Sequence, residues 1–186
     1  MRNPWHDGGT DATFTARSRG GVRMDKSILV EQLLEKLRHA ARIAEAESDA
    51  AAIEARDGAT PGERVETSQT ALEFSRMARA QARRAREIRA AIEAVAAFRP
   101  KPLEGRARVE LGALVEVEDE QGNGQTLFLA PAGAGAELTG PGGDGFFTVV
   151  TPQSPIGGAL LGKREGESAS ARIRGDVREW VVTWVG

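Results

Sequence analysis

The sequence predicts an α+β protein: an N-terminal antiparallel helical hairpin of coiled-coil type, then a small antiparallel β-domain. Three observations predict it. Between residues 25 and 98 the only glycines are Gly58 and Gly62, both in one short break, whereas glycine, valine and turn dipeptides dominate from Gly105 onward. Leucine, isoleucine and alanine recur at helical or heptad spacing on both sides of that break. Between the two regimes lies Arg99-Pro100-Lys101-Pro102-Leu103-Glu104, whose prolines end a helix and stiffen the passage.

The elements follow in chain order. Residues 1–24 are rich in Gly, Thr, Asp and Arg and read as a disordered leader. Arg2, Arg17, Arg19 and Arg23 are there without an apolar core region, so it does not read as a secretory signal. Met24, at the foot of the first helical pattern, is an alternative start. The hairpin occupies 25–99. Its first helix spans 25–57, with Leu29, Leu33, Leu37, Ala40, Ala44 and Ala51 as the seam and Asp25 or Ser27 as the cap. Asp57-Gly58-Ala59-Thr60-Pro61-Gly62 supplies the turn, so the tip falls at 57–66. The return helix runs over 63–98 with Phe74, Met77, Ala78, Gln81, Ala85, Ile88, Ile92 and Val95 on one face. Both seams are bulky near the linker and alanine-rich toward the tip, which lets two helices approach closely.

A helix of this length extends about 50 Å. The domain that follows the 100–104 linker, residues 105–186, is too small to cover it, so the hairpin must project. A probe that presents its tip to a partner and a dimerising or spacing coiled coil both account for that.

In the β-domain, Leu114-Val115-Glu116-Val117-Glu118 alternates, turns at 119–124, and returns as Gln125-Thr126-Leu127-Phe128-Leu129-Ala130. A glycine- and proline-rich loop is expected over 131–145, then a strand at 146–150 and a short helix ending at Leu161. Two further strands, at 169–173 and 177–185, meet at a turn at Gly175-Asp176. Most of Phe128, Phe147, Val149, Ile156, Leu160, Trp180 and Trp184 should be core.

Composition narrows the chemistry. There is no cysteine, which excludes disulfides, thiolate zinc and thiol nucleophiles and fits a reducing cytoplasm. His6 and His39 lie far apart in the sequence, so histidine triads and histidine metal sites are not expected, nor is independent catalysis. A net charge of −2 argues against general affinity for nucleic-acid backbone. No apolar run approaches the roughly 18 residues a membrane span needs.

The richest segment is Thr151-Pro152-Gln153-Ser154-Pro155-Ile156-Gly157-Gly158-Ala159-Leu160-Leu161-Gly162-Lys163. Its second half fits the opening of a phosphate-binding loop, G-x-x-x-x-G-K. The next residue is Arg164 rather than Ser or Thr, and the acidic, glycine-broken Glu165-Gly166-Glu167-Ser168 follows where a helix should begin. Nucleotide binding is therefore not expected.

A strand leading into Ser-Pro-Ile, a small-residue turn and Leu-Leu-Gly-Lys, behind a long helical hairpin, resembles the bacterial transcript-cleavage factors GreA and GreB. The resemblance covers residues 25–186. It implies an FKBP-like β-domain, without implying prolyl isomerase activity, and docking on RNA polymerase through residues around Ser154 and Pro155. It implies a cytoplasmic, monomeric accessory factor, with no membrane association, that acts through the polymerase's own catalytic site. Such factors insert the hairpin into the secondary channel and promote cleavage of backtracked RNA. They hold no cofactor of their own; acidic residues at the tip share a Mg²⁺ with the polymerase.

The family's tip run opens with Asp and carries two later Glu and a Tyr. Against it this chain reads Thr60-Pro61-Gly62-Glu63-Arg64-Val65-Glu66-Thr67. Glu63 and Glu66 match the two Glu, and Glu63 is the metal-sharing candidate. Thr60 stands where the family has Asp, and Asp57, three residues earlier, is a substitute ligand. The alternatives are a channel-binding regulator that does not cleave, for which Thr60 argues, and carboxylates that only solvate the tip. The family also uses a basic patch on the arm to hold the 3′ end of the nascent RNA. Arg76, Arg79, Arg83 and Arg86, spaced along one helical stripe, are the counterparts here. A solvated face neutralised by glutamates of helix one accounts for the same arginines.

Overall fold

The computed structural model describes residues 25–57, 68–103, 107–140 and 145–186, with 51–57 and 68–75 as backbone only. Two long helices precede a mixed six-stranded sheet interrupted by one short helix. The expected leader and turn lie outside the described residues.

Helix α1 spans Ser27–Asp57 and α2 spans Ser68–Ala97. Asp25 caps α1: its Oδ1 accepts the Ser27 N–H at 2.9 Å, and the bonds with Ser27 hold its carboxyl below the usual carboxylate range. At the far end of α2, Arg99 Nη1 donates to the Ala96 and Phe98 carbonyls at 2.7 and 2.8 Å, satisfying orphan acceptors before Pro100 stops the chain. The two helices run antiparallel. Leu33 and Leu37 share a cluster with Val95 and Phe98, while further out Glu45 meets Arg89 at 3.8 Å.

Burial fades along this pair. Leu29, Leu33 and Val95 are fully buried, Leu37, Ile88 and Ile92 are half-buried, and Met77, Ala78 and Gln81 are exposed. Ala40, expected in the seam, is exposed; the neighbouring Ala41 takes the half-buried position. Beyond the base the helices hold each other through alanine rather than through a deep apolar seam.

The strands are β1 Leu114–Asp119, β2 Gly124–Leu129, β3 Glu137–Thr139, β4 Phe146–Val150, β5 Ser168–Ile173 and β6 Asp176–Val185, with α3 Pro155–Leu160 between β4 and β5. Their order is β3-β4-β2-β1-β6-β5. The sheet is not antiparallel throughout, as the sequence suggested, because β2 and β4 pair in parallel. The chain leaving β2 passes one strand position and forms β3 at the edge, inside the stretch expected to be loop. It then turns back as β4, which lies beside β2 in the same direction. The β5–β6 turn centres on Arg174 and Gly175, both with positive φ (54° and 101°), one residue earlier than expected. That pattern matches a two-residue hairpin loop of the primed type.

Each face of the sheet carries its own core. On one, Val115, Val117, Leu127, Leu129, Trp180 and Val182 pack with Leu160 of α3. On the other, Leu114, Phe128, Phe147 and Val149 receive Leu29, Val30, Leu33 and Val95 of the helix pair. Trp180 and Trp184 sit four residues apart yet belong to different cores. A register shift opposite Glu116 and Val117 inserts an extra residue into β6 and reverses its alternation. Trp184 and Ile156 are half-buried rather than fully enclosed.

Candidate functional site

Ser154 and Pro155 form the start of α3. Ser154 is extended, and its Oγ accepts the N–H groups of Gly157 (3.2 Å) and Thr151 (3.1 Å) while donating to the Thr151 carbonyl at 2.8 Å. Pro155 takes the first helical turn, where its missing N–H costs nothing. Gly157 is required by contact: a Cβ there would run into the Thr151 carbonyl. The result is a rigid corner with Pro155 exposed at its apex and Leu160 anchoring it below.

The same bonds remove the phosphate-loop reading. Gly157 N and Gly158 N donate to Ser154, Leu161 N to Gly157 O, Gly162 N to Val109 O, and Lys163 N to Leu160 O. The N–H groups that would cradle a phosphate are occupied within the chain.

Arg76, Arg79, Arg83 and Arg86 are all exposed on α2, on the side away from the half-buried Ala85, Ile88 and Ile92 that meet α1. Ten residues at about 1.5 Å rise spread the stripe over about 15 Å. Arg83 Nε pairs with Glu87 Oε1 of its own helix at 2.8 Å, which holds its guanidinium in the charged form. Among the described residues, Arg89, outside the stripe, reaches a glutamate of helix one.

Glu63, Glu66 and Thr60 lie outside the described residues, and of Asp57 only its backbone, at the end of α1, is described. Among the described residues no group of three acidic or histidine side chains converges to hold a metal. Nor is any described helix long and apolar enough to cross a membrane.

Two further groups carried no signal in the sequence. Lys26 is buried, with its Nζ donating to the backbone oxygens of Gly112 (2.7 Å), Gly186 (3.0 Å) and Lys101 (3.3 Å). Gln32 forms a two-way amide pair with Thr139 of edge strand β3: Nε2 donates to its carbonyl at 2.8 Å and Oε1 accepts its N–H at 2.9 Å. A lysine and a glutamine near the start of an amphipathic helix read as solvated positions; only the folded chain around the foot of α1 supplies their partners.

No protein-family model and no curated protein matches the chain. Among solved structures it is similar to the transcription factor Gfh1, at 24% identity over 84% of this chain and 90% of that one, with a TM-score of 0.36. It is similar also to GreA factor homolog 1 (Gfh1) of Thermus thermophilus, at 22% identity over 85% and 92% of the two chains, TM-score 0.34. A third is the GreA/GreB elongation factor of Nitrosomonas europaea, at 19% identity over 40% and 57%, TM-score 0.28. Superpositions this loose fix no residue-to-residue correspondence.

Proposed function

We propose that this protein is an accessory factor of bacterial RNA polymerase, a divergent relative of the Gre factors. It docks through the Ser154–Pro155 corner of an FKBP-like domain and sends the helix pair into the secondary channel. The observation that carries the reading is the joining of two parts in one chain. One is a pair of helices of 31 and 30 residues, each about 45 Å long, whose bulk lies beyond the sheet. The other is a capped, proline-led corner on the sheet domain, exposed where a partner can meet it.

At the tip, Glu63 and Glu66 offer the hard oxygen donors that suit Mg²⁺. The metal belongs to the polymerase, where it supplies charge stabilisation for phosphodiester hydrolysis. This chain contributes carboxylates beside it and, through Arg76, Arg79, Arg83 and Arg86, positive charge toward the 3′ end of the nascent RNA. The factor works as a monomer with its arm free. Thr60, neutral where the family has Asp, favours a second reading in which the protein occupies the channel and restrains the polymerase without cleavage.

A stalled, backtracked elongation complex tests both, with transcript cleavage and binding measured side by side. Mg²⁺-dependent release of short 3′ fragments, abolished by Glu63→Ala with binding retained, establishes the cleavage factor. Binding without cleavage establishes the restraining factor. Absence of binding refutes the proposal and returns the helix pair to a structural role.

A further inference from the structure

The apolar contact between helix pair and sheet is non-directional: Leu29, Val30, Leu33 and Val95 are satisfied by any orientation that keeps them covered. Hydrogen bonds fix angle as well as distance, and two side chains at the foot of the arm, Lys26 just before α1 and Gln32 within it, make them to the segments around and within the sheet. Lys26 gathers backbone oxygens from the segment after α2 (Lys101), from the turn before β1 (Gly112) and from the end of β6 (Gly186). Gln32 completes the edge of β3 in both directions at once.

Six residues separate them. That is about 9 Å along the axis and about 120° around it, so the two ties oppose rocking and rolling together. From this geometry we infer that Lys26 and Gln32 are positioning residues that aim the arm, while the apolar cluster only attaches it.

Leverage makes the aim matter. One ångström of play across a base of about 9 Å swings the end of α1, about 46 Å away, through about 5 Å. A displacement of that size takes a carboxylate out of ligand range of any metal site. Gly133 permits the close approach: with φ at +87°, its Cα lies so near α1 that an added Cβ would stand 2.7 Å from Leu33 Cδ1. What the aim serves rests on the polymerase reading above; the aim itself does not.

The test therefore uses the isolated full chain. Because the sequence lacks cysteine, spin labels go onto introduced sites directly. The exposed Ala50 of α1 and Ser170 of β5 serve, as Ala50→Cys and Ser170→Cys. In the parent, the label-to-label distance distribution should be single and narrow. Gln32→Ala, and more strongly Lys26→Met with Gln32→Ala, should broaden it by about 4 Å at Ala50, scaled from the same lever. Circular dichroism and the thermal transition should still report a folded chain. Gln32→Glu, which keeps the acceptor for the Thr139 N–H and loses the donor, should fall between and serves if the double variant does not fold. Glu35→Ala, exposed on the same helix, should change nothing. An unchanged distribution in folded Gln32→Ala and Gln32→Glu overturns the inference, whatever the protein does to polymerase.

Discussion

Lys26→Met tests the account of the buried amine through its pH dependence. Methionine keeps the length and the apolar stem and removes the ammonium. Burial pushes the Lys26 amine down from 10.5 to about 8, with the charge of Glu110 opposing the shift. Between pH 8 and 10.5 the unfolded chain still holds a proton that the folded chain has released, so raising the pH favours the fold. The stability carried by this group is smallest below pH 8, grows through the window and is complete above 10.5. Linkage sets the slope at about 1.4 kcal/mol per pH unit, so about 3 kcal/mol accumulates. The chain has no tyrosine or cysteine to titrate in this range, and the remaining lysines cancel in the difference from the variant. At neutral pH the variant avoids burying a charge but leaves the Gly112 carbonyl without its donor, a loss of about 1–3 kcal/mol. The assay is urea denaturation of both proteins at half-unit steps from pH 7 to 10.5. The advantage of the parent over Lys26→Met should widen steadily above pH 8. A flat difference, or one that shrinks, refutes the reasoning and means that the three backbone oxygens hold the ammonium at least as firmly as burial disfavours it.

Gly133→Ala should lose about 2–4 kcal/mol in the same denaturation assay, combining left-handed strain with overpacking against Leu33. A change below about 1 kcal/mol would show that the loop moves aside. Ser154→Ala removes the cap of α3 and should cost about 0.5–2 kcal/mol of stability. Pro155→Ala should leave the melting transition within a few degrees of the parent while weakening polymerase binding; equal affinity would remove Pro155 from the docking surface. Reversing the stripe with Arg79→Glu and Arg86→Glu should weaken the hold on backtracked RNA and flatten its salt dependence, measured by cleavage or occupancy at several ionic strengths.

Much of this architecture was legible because it is written in local patterns. The scarcity of glycine before Phe98, the periodic leucines and the Pro100–Pro102 segment marked two helices and their stop. The alternation at Leu114–Glu118 and the turn with Gly122, Asn123 and Gly124 marked the first hairpin, in which Asp119 Oδ1 accepts the Gln121 and Asn123 N–H groups at 2.9 and 2.8 Å. The short helix expected to end at Leu161 is there as α3, and the structure adds Ser154 as its cap. Strand β3 was hidden because three residues among glycines and prolines carry too little alternation to stand out. The split of Trp180 and Trp184 between cores was equally hidden, since the register shift that separates them is settled by pairing with β1.

The candidate site divides in the same way. Helical spacing put Arg76, Arg79, Arg83 and Arg86 on one stripe, and they are exposed together on α2; the cap bonds at Ser154 came only from the structure. For residues 57–66, the sequence supplies Glu63 and Glu66 as candidate carboxylates, and it rests there. By itself the sequence determined the parts: which segments are helix, where they stop, and which side chains can carry charge. Only the tertiary structure decided how the parts are joined, through Lys26 on three distant backbone oxygens, Gln32 on a sheet edge and Gly133 beneath Leu33. Those partners are 75 to 160 residues from Lys26 and 107 from Gln32 along the chain. No local pattern encodes a hydrogen bond whose acceptor is brought into reach by the closure of an entire sheet.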